Sequence, residues 1–170
     1  MSAIYYTSMI NFYGKSLWHK RYERGLGMNI ASFILPKVEV AYLRDNMTIR
    51  QGLEKMHRSG YTAIPVIDKE DRYVGVISEG DFLWKVILHN NNLEDITIKQ
   101  LEHMTVRDLI QMGKVKAVCI DTNMEELLGQ AQNQNFVPVI DDRNVFIGII
   151  TRSDIIKYFV KKQLDAVNSM

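Results

Sequence analysis

The chain has a single cysteine, Cys119, in 170 residues, so no internal disulfide holds its fold. A lone cysteine excludes a disulfide framework and agrees with a reducing compartment. Only three prolines are present, which excludes a polyproline or low-complexity chain. No stretch approaches the roughly 18 uninterrupted apolar residues that a membrane helix requires, so no membrane partner is expected. Neither sign of charge dominates: 21 Lys+Arg against 20 Asp+Glu leave +1. A charge that small gives no global field pointing to nucleic acid or an anionic surface. What is present is ordinary: 46% apolar and 24% charged residues, the balance of a folded globular protein. The length allows one domain or two very small ones packed together. The expectation is a cytoplasmic protein.

Enzyme signatures are missing as well. His19, His57, His89 and His103 share no metal-ligand spacing with one another or with Cys119. There is no Walker phosphate loop, no G-x-S-x-G elbow and no G-x-G-x-x-G after a strand. Gly75–Gly80 looks glycine-rich, but its first half reads as a strand. Cys119 lies in the apolar run Ala117–Ile120, where cysteine behaves as a small hydrophobe. The sequence therefore predicts no metal, no cofactor and no catalytic residue. It does not read as an enzyme.

Residues 1–27 carry Lys15, Lys20, Arg21 and Arg24 against Glu23, a net of +3, which leaves −2 for the rest. A secretory signal places its charges before the apolar region; here they follow it. The aromatic-plus-basic mix admits a surface-binding arm. The plainer reading is a poorly ordered extension, with Met28 as an alternative start.

The remainder is organised by a repeat. Pro65-Val66-Ile67-Asp68 recurs as Pro138-Val139-Ile140-Asp141, 73 residues later, and Tyr73–Ser78 recurs as Phe146–Thr151. From 65–83 against 138–156, seven of nineteen positions are identical, too many for coincidence. Upstream, Thr48-Ile49 and Leu53 match Asn123-Met124 and Leu128 at a spacing of 75. This is a duplication, with copies at 28–94 and 95–170.

Each copy predicts strand, helix, strand, strand, helix. Lys37–Leu43 and Lys116–Ile120 read as strands. Thr48 and Asn123 are N-caps for helices whose apolar residues recur at helical spacing. Thr62–Ile67 and Phe136–Ile140 are apolar strands, followed by turns at Asp68–Arg72 and Asp141–Asn144. Strands Tyr73–Ile77 and Val145–Ile150 lead into closing helices, Gly80–His89 and Ser153 to about Val167. Asn90–Met104 serves as the connection, and Thr105–Ile110 reads as a helix capped by Thr105. One such copy buries too little surface to be comfortably stable alone. Two copies related by a pseudo-twofold, sheets back to back, solve that problem. The fold class is α/β (α+β), and apolar surface left on the helices predicts a homodimer.

One polar constellation occurs twice. Ser78-Glu79-Gly80-Asp81 and Thr151-Arg152-Ser153-Asp154 place a hydroxyl and a carboxylate three apart at a strand-to-helix junction. That spacing makes a helix cap. It also suits a nucleotide: the helix start takes a phosphate, and the acid accepts from a ribose diol. Arg152 favours the second use in the second copy, and Glu79 opposes phosphate in the first.

The repeated PVID…(Y/F)(V/I)G(V/I)I(S/T)xxD pattern resembles the CBS domain, and two copies in tandem resemble a Bateman module, over about Asn29–Tyr158. The resemblance implies two βαββα repeats forming one CBS pair. It further implies a regulatory module that binds an adenine nucleotide between the copies, dimerises and signals to a partner protein. Carried over by residue, the first cleft joins Val40, Ala41, Tyr61, Thr62, Ala63 and Ile64 to Thr151, Arg152 and Asp154. The second, weaker cleft joins Ala117, Asn135, Phe136 and Val137 to Ser78 and Asp81. The stretches Tyr61–Pro65 and Phe146–Arg152, in a chain that is nothing but a CBS pair, are similar to the stand-alone cyclic-di-AMP-binding CBS proteins of Gram-positive bacteria. Asp154 is typical instead of linear AMP or ATP binders, which leaves the nucleotide open. The alternative is an interaction or dimerisation module with vestigial clefts.

Overall fold

The computed structural model describes residues 30–89, 103–111 and 113–168. The expected extension, the start at Met28 and most of the connection Asn90–Met104 lie outside those residues. Two copies of one pattern follow each other. The first is β2 (Leu43–Arg44), α1 (Ile49–Ser59), β3 (Ala63–Ile67), β4 (Tyr73–Ser78) and α2 (Glu79–His89). The second is β5 (Val118–Cys119), α3 (Met124–Ala131), β6 (Phe136–Ile140), β7 (Phe146–Thr151) and α4 (Arg152–Asn168). A short strand β1 (Leu35–Pro36) precedes both. The mixed α/β class and the order of elements are those the sequence predicts.

Local chemistry sets the boundaries. Thr48 and Gln51 form a reciprocal capping box, with Thr48 Oγ1 accepting from Gln51 N–H (3.2 Å) and Gln51 Oε1 from Thr48 N–H (3.0 Å). Gly60, at φ 69°, ends the same helix in the left-handed conformation. Asn123 caps α3 by accepting from Glu126 N–H at 3.0 Å. The aspartate of each PVID makes the turn after it. Asp68 Oδ1 accepts from Glu70 and Arg72 N–H, and Asp141 Oδ1 from Arg143 and Val145 N–H, at 2.8–3.0 Å. Pro65 and Pro138 sit one residue before the parallel pairs Leu43↔Val66 and Val118↔Val139, so each missing N–H falls outside that ladder.

The first sheet has the order β2-β3-β4 and the second β1-β7-β6-β5. The predicted strand Lys37–Leu43 is therefore a correction. Only Leu43 of that stretch is in a strand, Lys37–Glu39 is a 3-10 turn, and the preceding Leu35–Pro36 pairs antiparallel with β7 of the other copy. Val38 is 91% exposed within that turn, so its β-branching does not report a buried strand. Likewise Lys116–Ile120 contracts to Val118–Cys119, and Thr105–Ile110 is a 3-10 turn over Val106–Leu109.

The leaders are exchanged between the copies. Ile30 and Ile34 are buried in the core of the second copy, with Met124, Leu127, Val139 and Ile155. Val106 and Leu109, which lead into the second copy, are buried in the core of the first, with Leu43, Ile49, Ile77 and Phe82. Backbone bonds hold that second leader: Ile49 N–H to Met104 O (3.0 Å) and Val106 N–H to Met47 O (2.8 Å). The two cores thus cross the boundary between the spans 28–94 and 95–170. Each takes its leader from the other side of the duplication.

The repeat glycines follow from this exchange. A Cβ on Gly148 would lie 2.2 Å from Leu35 O, and one on Gly75 would lie 2.8 Å from Ile110 Cγ2. Each glycine is the place where the other leader crosses. The hairpin tips meet symmetrically as well. Tyr73 N–H donates to Asn144 O and Phe146 N–H to Asp71 O, both at 2.9 Å. Asp71 and Asn144, equivalent positions, have φ 65° and 64°. That symmetry is the expected pseudo-twofold.

Candidate functional site

Both hydroxyl–carboxylate pairs sit where a strand ends and a helix begins. Thr151 Oγ1 donates to Asp154 Oδ2 at 2.6 Å, and Asp154 N–H donates back to Thr151 Oγ1 at 3.2 Å. Ser78 Oγ donates to Asp81 Oδ2 at 2.6 Å, and Ser78 N–H reaches the same oxygen at 2.8 Å. In this state each pair caps its helix, and each acid stands near the positive end of the helix dipole. A capped hydroxyl and acid remain a donor–acceptor pair that a diol can enter by exchange.

The loops before β3 and β6 are fixed against these junctions. Thr62 O accepts from Glu79 N–H (3.0 Å) and Ala63 pairs with Ser78. Asn135 O accepts from Arg152 N–H (2.9 Å) and Phe136 pairs with Thr151. The hydrogen bonds thus bring Thr62–Ala63 to Ser78, and Asn135–Phe136 to Thr151, within each copy. Tyr61 and Thr62 are exposed and Ala63 is half-buried. The side chains of Ile64 and Val137 are buried in the two cores, which leaves their backbone groups to face a ligand.

The leaders supply the contacts that cross between copies. Lys37–Glu39 packs on β7, just ahead of Val40 and Ala41. The second leader crosses β4, where Tyr73 donates its hydroxyl to Val115 O at 2.9 Å. Burial pushes the Tyr73 phenol up, so it stays a neutral donor. Strand register keeps the spacing of 75 between the copies at this point. Leu43 and Val118 hold matching places opposite Val66 and Val139, so Ala117 corresponds to Tyr42, and Ala41 corresponds to Lys116.

The sequence reading missed several charged and polar groups. Lys37, Arg44 and Lys55 surround the Tyr42 ring at 5.4, 5.8 and 4.7 Å from its centroid. Asp71 pairs with Lys37 and Arg44, both at 2.7 Å. Arg152 is anchored by Nε to Gln134 O at 2.8 Å, and Gln134 Oε1 is buried without a hydrogen-bond partner. Asp81 meets Lys114 at 2.8 Å. Burial works to raise the Asp81 carboxyl, but Lys114 and Ser78 outweigh it and hold it below the ordinary value. None of these contacts has a sequence signature, because each joins residues far apart or depends on a rotamer. Among the described residues, no group of three His, Cys, Asp or Glu is placed to hold a metal. Nor is any described helix long and apolar enough to cross a membrane. The donors, acceptors and cations at the two junctions suit recognition of a polar anionic ligand.

Two copies of one βαββα unit, exchanging leaders about a pseudo-twofold, define a CBS pair, and the chain belongs to the CBS domain family, whose model matches residues 32–87 and 102–161. It is similar to Cyclic di-AMP receptor B of Bacillus subtilis (strain 168), with 27% identity over 132 residues, spanning 78% of this chain and 86% of the relative. The solved CbpB protein of Listeria monocytogenes in complex with c-di-AMP superposes with a TM-score of 0.68 at 25% identity. That match covers 81% of this chain and 98% of the other. CBSX2 in complex with AMP gives a TM-score of 0.62 at 26% identity, over 81% of this chain and 99% of that one.

Proposed function

We propose that this protein is a non-catalytic, cytoplasmic sensor that binds an adenine nucleotide between its CBS repeats and signals occupancy to a partner protein. The observation that carries the reading is the duplicated hydroxyl–carboxylate pair at a helix start, with a leader of the other copy laid along the adjoining strand. In the first cleft, Val40, Ala41, Tyr61–Ala63 and the Ile64 backbone enclose the base. Asp154 accepts from the ribose, and Thr151 with Arg152 takes the phosphate. The relatives in complex with c-di-AMP and with AMP support a ligand of this class. Cyclic di-AMP, AMP and ATP are the ligands to compare. The chain acts as a homodimer. Ile156, Val160, Leu164 and Val167 form an exposed stripe along α4, and Leu83 and Trp84 are exposed on α2, the equivalent helix.

The test measures calorimetric affinity and melting temperature on the same variants. Asp154→Ala removes an ionised acceptor, worth about 1.5–3 kcal/mol, so affinity falls roughly tenfold to a hundredfold. Arg152→Ala weakens phosphorylated ligands more than adenosine. A pure cap predicts otherwise: Asp154→Ala costs up to about 1 kcal/mol of stability and leaves affinity unchanged. Equal affinities in wild type and both variants refute the site. No binding of any adenine compound at millimolar concentration leaves the second reading, an interaction module whose acids serve only as caps.

A further inference from the structure

The two clefts have different acids in one respect that the repeat does not predict. Asp81 is bridged across the copies by Lys114, which lies on the leader of the second copy, at 2.8 Å. Its other oxygen is filled by Ser78 Oγ and N–H, so both carboxylate oxygens are occupied, and its side chain is only 10% exposed. In the first cleft, strand register puts Glu39 where Lys114 stands in the second. There both Asp154 oxygens are engaged as well, Oδ2 by Thr151 and Oδ1 by Lys157, one turn along its own helix, at a longer 3.2 Å. The difference is that this cation comes from the same copy and that Asp154 is 23% exposed. The cross-copy lysine belongs to the second cleft.

We propose that Lys114 locks the second cleft, its ammonium holding the acceptor that a ribose diol needs, so that the ligand-free protein offers one open nucleotide site per chain. This rests on the nucleotide reading above and adds a specificity residue to it. An arriving ribose must displace the ammonium from a nearly buried carboxylate, and Glu79 at the same helix start gives the phosphate no compensation. The lysine lies on the leader that Tyr73 holds through Val115 O, so one leader carries both contacts to the first copy.

The experiment is calorimetric titration of the full chain with cyclic di-AMP, AMP and adenosine. Lys114→Met should bind one more equivalent per chain than wild type, with adenosine showing the extra site most clearly because Glu79 does not oppose it. Adding Asp81→Ala should remove the extra site, and Lys114→Arg, which keeps the cation, should behave as wild type. Wild type binding nothing, with Lys114→Met gaining an Asp81-dependent site, upholds the lock and defeats the first-cleft assignment. Two equivalents in wild type, or no gain in Lys114→Met, overturns the lock whatever the first cleft does.

Discussion

Gly148 and Gly75 occupy the same position in the two copies, yet alanine at each should have unequal consequences. At Gly148 the new Cβ would meet Leu35 O at 2.2 Å and Ile34 Cγ2 at 2.6 Å. The first of these is backbone, so no rotamer relieves it, and the leader itself has to shift. A full undocking surrenders the β1–β7 pairing and exposes Ile30 and Ile34, now 0% and 7% accessible. At about 1.5–3 kcal/mol for each buried isoleucine, that path costs at least about 3 kcal/mol. Partial retreat with strain falls in the overpacking range of about 1–3 kcal/mol. We expect a loss of about 3 kcal/mol for Gly148→Ala. At Gly75 the obstacle is Ile110 Cγ2 at 2.8 Å, the branch methyl of a side chain stiff at χ1, but it is not backbone and the approach is less close than at Gly148. The lower conformational entropy of alanine, worth about 0.5–1 kcal/mol, offsets part of the strain. Gly75→Ala should cost about 1 kcal/mol or less. Urea unfolding measures both losses, and amide exchange at Ile34 and Leu35 shows whether the leader has come away. Equal losses, or unchanged exchange in Gly148→Ala, would refute the reasoning.

Two further outcomes follow from the charges and the surface. Because the Asp81 carboxyl lies below its ordinary 3.8 when folded, it adds stability above that value, and the contribution fades as pH falls through the folded value. Melting curves of Asp81→Asn between pH 3 and 7 should therefore have a flatter acid limb than wild type, and parallel profiles would contradict the contact with Lys114. Val160→Glu, placing a charge in the α4 stripe, should turn a dimer into a monomer of about half the mass with little change in melting temperature; sedimentation velocity reads this directly, and a wild-type monomer would remove the dimer proposal.

Much of this architecture was legible because it is local. The PVID aspartates announce turns that they make themselves, through bonds two and four residues ahead. Thr48 and Asn123 mark helix starts by chemistry three residues long. The duplicated S/T-x-x-D segments were visible for the same reason, and the structure closes both as predicted for caps. The leaders were not legible. Leu35 meets Ile149 and Lys114 meets Asp81 only after the two copies assemble, and no periodicity encodes a partner so distant. Val38 and Val40 carry a strand's composition, yet the strand forms just before them, at Leu35–Pro36, and its partner is β7 of the other copy, at Gly148 and Ile149. Ile64 and Val137 entered the clefts through the family resemblance, and the continuous burial of β3 and β6 takes their side chains into the cores.

Exchanged leaders also set an order on how the chain can be assembled. As synthesis proceeds, the first copy emerges without Val106 and Leu109, so its core stays unsealed until the start of the second copy is made. The second core waits in the opposite sense, for Ile30 and Ile34, produced long before and kept without their final partners until β7 exists. Contacts of such sequence separation carry a loop-closure penalty before they return any burial, and they slow folding. The last ladder to form, Leu35 with Ile149, therefore works as a clasp that fastens only when both halves are complete. A truncated chain cannot fasten it, so neither half retains its native core when made alone.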